Sequence, residues 1–355
     1  LKFYLMPKVI VLFFILFLHF QVFSAEKHYL FKRINTTDGL SNSWVRCAYQ
    51  DDYGYLWFGT DDGLNRYDGR NIKMFRPINY NLSNLGNVTI NSICRINESC
   101  IWLCTDMGLF RFDLKNEQFH LDSILPPHPV LTAIKDKDNN FWFGTNRGLY
   151  KVSLSNKKSS LFQNDPDDPH SLSDNYVNSL LIDSNNELWI GTNKGLCKYN
   201  KLENSFDCFY NSNQFETTSG NHIVSLFEDS KHRIWVGTSL DGLIEFSLDS
   251  NDPVFKKILE GSICSILEDD DGKLWVGHAA GEGIEIIDLK AFDQGVLKVN
   301  LLKNNPLDMN SLGDNSVFNF YKDRNQDIWV STFGGGVNFY RCRENQFYKV
   351  KEQFG

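Results

Sequence analysis

Residues 51 to 68 read Asp51-Asp52-Tyr53-Gly54-Tyr55-Leu56-Trp57-Phe58-Gly59-Thr60-Asp61-Asp62-Gly63-Leu64-Asn65-Arg66-Tyr67-Asp68. Two runs of strand length, rich in aromatic and apolar residues, each follow an Asp/Gly turn signal, which is the pattern of an antiparallel hairpin. The same unit recurs along the chain. Its core returns as Ile101-Trp102-Leu103-Cys104-Thr105, Phe141-Trp142-Phe143-Gly144-Thr145 and Leu188-Trp189-Ile190-Gly191-Thr192. It returns again as Ile234-Trp235-Val236-Gly237-Thr238, Leu274-Trp275-Val276-Gly277-His278 and Ile328-Trp329-Val330-Ser331-Thr332. Seven of the eight tryptophans are used, at spacings of 45, 40, 47, 46, 40 and 54 residues, the range of propeller blades and solenoid arrays. β-Branched and aromatic runs between turn signals, with no apolar stripe of period 3.6, exclude helical repeats.

Outward from each tryptophan the order of a unit is readable. Six residues before it stands Asp51, Asp136, Asp183, Asp229, Asp269 or Asp323, with the second repeat alone lacking the acid. This is a turn residue whose carboxylate can bond nearby backbone amides. Six residues further upstream runs a β-branched column, Val45, Ile90, Val130, Val177, Ile223, Ile263 and Val317. Two positions on, Cys47, Ser92, Thr132, Ser179, Ser225, Ser265 and Asn319 are small or polar, as expected of an innermost strand where sheets converge on a narrow channel. A Gly turn, a third strand and a fourth, such as Phe206 to Tyr210, complete each unit. The sequence therefore predicts an all-β chain: a seven-bladed β-propeller of four-stranded antiparallel blades. The strand from His28 to Ile34 is expected to pair with the last blade and close the ring, which removes exposed edges. The segment Gln346 to Gly355 either competes for that edge or leads into a further part.

Composition narrows the function. Lys and Arg number 36 against 44 Asp and Glu, and two of the lysines fall in the first 25 residues, which hold no acid. A nucleic-acid partner, which needs a basic face, is disfavoured. Residues 1 to 25 read as an export signal: Met6-Pro7-Lys8 is a basic start, and the apolar run from Val9 to Phe20 is too short to span a bilayer. Residues 26 to 355 then form the propeller, expected in the periplasm. Eight cysteines are compatible with export. Cys197 and Cys208 flank a turn at Lys201 to Asn204 in a register suited to a cross-strand bridge, or are two separate buried thiols. Cys94, Cys100 and Cys104 lack the spacing and the histidine of a zinc site.

The pattern from Asp51 to Asp68 resembles the two-component regulator propeller repeat. So do the connectors from Asn164 to Asn175 and from Asn304 to Asn315, and the opening from Phe31 through Gly39-Leu40-Ser41. The resemblance runs from about His28 to Val350, with departures at His278 and Ser331. It implies the periplasmic sensor region of a hybrid two-component system from a glycan-degrading bacterium. Such sensors carry two propellers, a β-sandwich, a membrane helix and a histidine kinase, and this chain reads as the first propeller. It also implies an oligosaccharide or polysaccharide fragment as ligand, a second propeller and a homodimer partner as neighbours, and a kinase in the parent protein.

No ATP-binding domain, phosphate loop, His-Glu-x-x-His or Gly-x-Ser-x-Gly motif is present, and no cofactor is implied. No catalytic or metal-ligating residue is assigned. The repeat tryptophans are expected to be buried between blades rather than to form a sugar platform. Instead, the turns between second and third strands should share a face with the long connectors Asn79 to Asn87, Asn164 to Asn175 and Asn304 to Asn315, and long loops on a rigid scaffold often carry function. There the entrance column holds Trp44, Thr89, Pro129, Tyr176, His222, Ser262 and Ser316. The candidate ligand surface is Trp44, Asp61, Asp62, Arg147, Tyr176, Lys194, His222 and Asp241. Two other readings stay open for it: a plug of the channel mouth, or a seat for a second propeller. For the whole chain the alternatives are a protein-binding scaffold and an exported glycan-cleaving enzyme.

Overall fold

The computed structural model describes residues 29–77, 88–155, 158–210, 222–249 and 252–342. The expected signal segment, the connector Asn79 to Asn87 and the segment Gln346 to Gly355 lie outside them. Seven four-stranded antiparallel sheets follow one another in chain order. Blade 1 is built of Val45–Gln50, Leu56–Thr60, Gly63–Tyr67 and Ile72–Phe75. The strand Phe31–Ile34 pairs with Val337–Tyr340 as the outermost strand of blade 7, so the ring is closed by the N-terminal strand. The innermost strands of neighbouring blades touch all the way round, Val317–Lys322 of blade 7 against Val45–Gln50 of blade 1.

The tryptophans explain why the blades adhere. All seven are at most 4% exposed. Each meets an aromatic side chain of the following blade: Trp57 meets Phe112 at 5.4 Å, Trp142 meets Tyr199 at 4.8 Å and Trp329 meets Phe58 at 5.7 Å. A buried indole N–H needs an acceptor. The aspartate six residues upstream supplies it, as in Trp57 to Asp51 at 2.8 Å and Trp189 to Asp183 at 2.9 Å. Its other oxygen receives turn amides, Tyr53 and Tyr55 for Asp51 and Glu187 for Asp183. In blade 2 the missing acid is replaced from further along the chain, since Trp102 donates to Asp122 at 3.1 Å.

The small column on the innermost strands also serves the packing of one blade on the next. A Cβ placed on Gly59 would lie 2.5 Å from Cys47 Sγ and 2.7 Å from Ile90 Cγ2 of the next blade. Gly144, Gly191 and Gly237 are hemmed in the same way, each by its own small residue and by Val177, Ile223 or Ile263 of the following blade. In these four blades the small residue leaves room for the close approach of the following blade at the glycine. Every blade also carries a register shift just after the β-branched residue, so the residues at 46, 91, 131, 178, 224, 264 and 318 are out of alternation. Asn91 and Asn178 use this to donate to Val130 O and Ile223 O of the next blade, at 3.0 and 2.9 Å.

On the side of the first hairpins, six of the seven interfaces are latched by the residues flanking the hairpin position. Asp52 pairs with Arg95, Lys137 with Ser184 O, Ser184 with Glu228, Ser230 with Glu268, Asp270 with Lys322, and the Arg324 amide with Gln50. Between blades 2 and 3 a cleft of about 540 Å³ opens instead, lined by Arg95, Asn97, Ser99, Cys100 and Lys135.

Candidate functional site

Turns between second and third strands and the entrances of the innermost strands occupy one face, joined by backbone hydrogen bonds. Asp61 N donates to Trp44 O, Asn193 N to Tyr176 O, Ser239 N to His222 O and Phe333 N to Ser316 O, at 3.0 to 3.2 Å. The Thr ending the second strand holds each turn: Thr60 Oγ1 donates to Gly63 O and accepts from Asp62 N, and Thr192 does the same with Gly195 and Lys194. In blade 6 this position is His278, which reaches Glu285 at 3.0 Å. Glycine is required at Gly63, whose φ is 91° and whose Cβ would sit 2.6 Å from Phe75 O.

The eight candidate residues all belong to this face but do not form one contact set. Trp44 is 48% exposed and Tyr176 38% exposed, the two open aromatic rings of the entrance column. An Asx turn fixes the backbone under each, from Asn42 to Trp44 N and from Asp174 to Tyr176 N, both at 2.8 Å. Arg147 and Lys194 are exposed, and Lys194 pairs with Asp174 at 3.2 Å. Asp174 also acts on half-buried His222, whose basicity is lowered by burial and partly restored by that carboxylate. Asp241 is half-buried, with Oδ2 enclosed and without a hydrogen-bond partner. Asp62 is 7% exposed and bound to Arg76, so it offers a ligand little surface.

Asp61 is also committed, to Arg46, and this pair opens a cluster that alternation in the sequence conceals. Arg46 sits at the register shift, its guanidinium 4.9 Å from the centre of the Phe318 ring. Phe318 stacks on Phe333 at 3.7 Å, and Phe333 meets Trp44 edge-on at 5.9 Å. Beside them, Asp106 is held above the usual carboxylate range by burial, offset by the Thr89 amide and by Arg46. Blades 7, 1 and 2 thus present an aromatic floor with paired charges. Tyr176, His222 and Lys194 form a separate group on blades 4 and 5. Arg46, Asp106, Asp174, Phe318 and Phe333 were missed from sequence. The signal that could have found the first and the fourth is the column one residue after the β-branched one.

Among the described residues no three His, Cys, Asp or Glu side chains stand close enough to hold a metal ion, and no helix is long and apolar enough to cross a membrane. Cys197 and Cys208 lie opposite each other in the register and are joined as a disulfide.

Fold and repeat define a seven-bladed propeller whose blades are held by an Asp–Trp pair. The two component regulator propeller profile matches residues 39–62, 124–147, 171–194, 218–239, 257–280 and 311–334, so six segments of the chain are repeats of that kind. These segments lie in blades 1 and 3 to 7, and the departures His278 and Ser331 fall inside them. Blade 2, where Trp102 takes its acceptor from Asp122, lies between them. A segment of 60 residues is 42% identical to histidine kinase P4 of Formosa agariphila, spanning 17% of this chain and 4% of that protein. The fold is shared with the extracellular domain assigned to the hybrid two component system BT4673 of B. thetaiotaomicron (TM-score 0.76, 23% identity, 88% of this chain, 40% of that one). It is also shared with that of BT3049 of the same organism (0.73, 24%, 88% and 42%). Virginiamycin B lyase of Staphylococcus aureus has the same fold at 12% identity (0.63, 88% and 99%). The chain thus spans less than half the length of these two extracellular domains.

Proposed function

We propose that this chain is a ligand-sensing propeller domain of a hybrid two-component sensor, working in the periplasm, and that its ligand is a glycan fragment. The observation that carries this reading is the pair of open rings, Trp44 and Tyr176, set on fixed backbone at one face among hydrogen-bonding side chains. Aromatic faces stack on sugar C–H surfaces, and the neighbouring Lys194, Arg147, Asp174 and Asp241 are suited to hydroxyls. Signalling passes to a kinase in the parent protein, and this chain does no chemistry of its own. The family of its repeats and the domains that share its fold support the sensor role.

The test is calorimetric titration of the protein with defined oligosaccharides, alongside Trp44→Ala and Tyr176→Ala. Loss of a ring that anchors the ligand costs about 2 kcal/mol, roughly thirtyfold in affinity, with an unchanged melting temperature. Unchanged affinity in both variants refutes this surface. Turnover of a chromogenic glycoside would favour an exported glycan-cleaving enzyme. A second reading, a protein-binding scaffold, rests on Leu307 and Met309, which are 96% and 85% exposed at the tip of a connector braced by Arg33.

A further inference from the structure

One set of positions crowns the candidate face: the residue whose backbone N–H donates to the entrance residue of its own blade. In blades 4, 5 and 6 it is Asn193, Ser239 and Ala279, none of them charged, whereas blades 7, 1 and 2 present Phe333, Asp61 and Asp106 in succession. Arg46 joins these three blades, paired with Asp61 and set over the Phe318 ring. Phe333 covers one face of Phe318, stacked at 3.7 Å and 13°, so the guanidinium lies against the other. Phe318 is therefore a spacer that holds Arg46 flat, not a surface open to a ligand. Asp61 takes the Nε side of the fork, with Nη2 3.4 Å from its second oxygen. Nη1 has no partner among the described residues and is not enclosed. Asp106 spends Oδ1 on Thr89 N at 3.2 Å, which leaves Oδ2 to spare. The blade 7 turn continues as Gly334-Gly335-Gly336 and brings no side chain over Phe333. A Cβ on Gly334 would lie 3.0 Å from Asp314 Oδ2, while Asp314 Oδ1 accepts from Ser316 N at 2.7 Å. The patch thus holds three carboxylates and one guanidinium, and Asp61 already matches that guanidinium.

We propose that blades 7, 1 and 2 form a subsite for an uncharged sugar unit read through two adjacent hydroxyls, with Arg46 as its specificity-determining residue, and that this subsite rejects uronic acid and sulfated units. The subsite rests on the proposed glycan ligand and names its class. The open end of the Arg46 fork presents N–H donors in one plane, the spacing that two neighbouring hydroxyl oxygens accept. Each hydroxyl also carries a hydrogen, and the spare oxygens of Asp106 and Asp314 are acceptors for it. A hydroxyl can use both kinds of partner because it donates and accepts, whereas a carboxylate or sulfate only accepts. The C–H face of the unit stacks on Trp44, which is 48% exposed and meets Phe333 edge-on. An anionic unit would find Arg46 already neutralised by Asp61 and would add a like charge beside Asp106 and Asp314, with no further cation to offset it. The patch is therefore built to favour the neutral unit and to repel the charged one, and discrimination comes from the repulsion as much as from the contacts. Tyr176, His222 and Lys194, on blades 4 and 5, take no part in this choice.

The test is a glycan array probed with the intact protein, followed by calorimetry on matched pairs that differ only in oxidation at C6, such as mannotetraose with tetramannuronate and cellotetraose with its C6-carboxylate. Neutral members should bind, and each uronate should bind roughly tenfold or more weakly than its partner. Arg46→Lys keeps the charge but loses the planar fork, so neutral affinity should fall about tenfold with an unchanged melting temperature. Asp106→Asn should weaken the neutral ligand and at the same time narrow the neutral-to-uronate ratio, a change that a merely structural role would not produce. This second variant also decides the matter should Arg46→Lys fail to fold. Preference for the uronate or sulfated members, or parental affinity and selectivity in both variants, overturns the subsite. Equal binding of neutral and anionic members that is lost in Trp44→Ala removes the subsite and leaves the glycan surface standing. An array on which no oligosaccharide binds overturns both.

Discussion

Replacing Gly144 by alanine tests what spaces the blades. The added Cβ would lie 2.7 Å from Thr132 Cγ2 on its own innermost strand, 2.8 Å from Val177 Cγ1 and 2.9 Å from Val177 O of blade 4. Thr132 can rotate, but the carbonyl belongs to a strand packed against both neighbours, so relief requires blade 4 to move outward. Overpacking of this kind costs about 1–3 kcal/mol. In a ring of this size the thermal midpoint should fall by roughly 3 °C. Val177→Ala removes one of the two contacts made by the next blade and leaves the carbonyl, so the double variant should recover part of the loss. The resulting coupling energy isolates the inter-blade contact from the intrinsic effect of alanine in a strand. Differential scanning calorimetry of the four proteins gives the result. A Gly144→Ala protein that melts with the parent, or single-variant losses that simply add, would refute the claim that the glycine exists for the approach of the next blade.

Asp183→Asn swaps an acceptor for a donor beside the Trp189 N–H or the Glu187 amide, and should cost about 1.5–3 kcal/mol by chemical denaturation. For His222, burial holds the folded-state pKa below its ordinary 6.5, so the unfolded chain takes up the proton first. Stability should be complete above that value and decline as pH falls below it, and His222→Gln should flatten this part of the profile. The thiols of Cys47, Cys94 and Cys264 are pushed up to about 12, chiefly by burial, so all three should resist alkylation at pH 8 in the folded protein and react on unfolding, read by mass spectrometry.

What could be read from the sequence is what depends on neighbours along the chain. The repeat around Trp57 determined the number of blades, the strand order within each and the burial of the tryptophans, because hairpins are local and a four-stranded unit cannot bury both faces alone. Closure by the strand ending at Ile34 was legible because an unpaired edge is costly and one strand was left over. The register of Cys197 against Cys208 followed from a short turn, but their union as a bond did not. Only the tertiary structure decided which distant residues meet. Arg46 lies over Phe318, 272 residues away, because ring closure sets blade 7 beside blade 1 and the register shift turns both side chains out of alternation. Ring closure also brings Arg33 to Ser311, 278 residues away. The candidate face is assembled from loops of different blades, and no spacing in the chain records the distances between them.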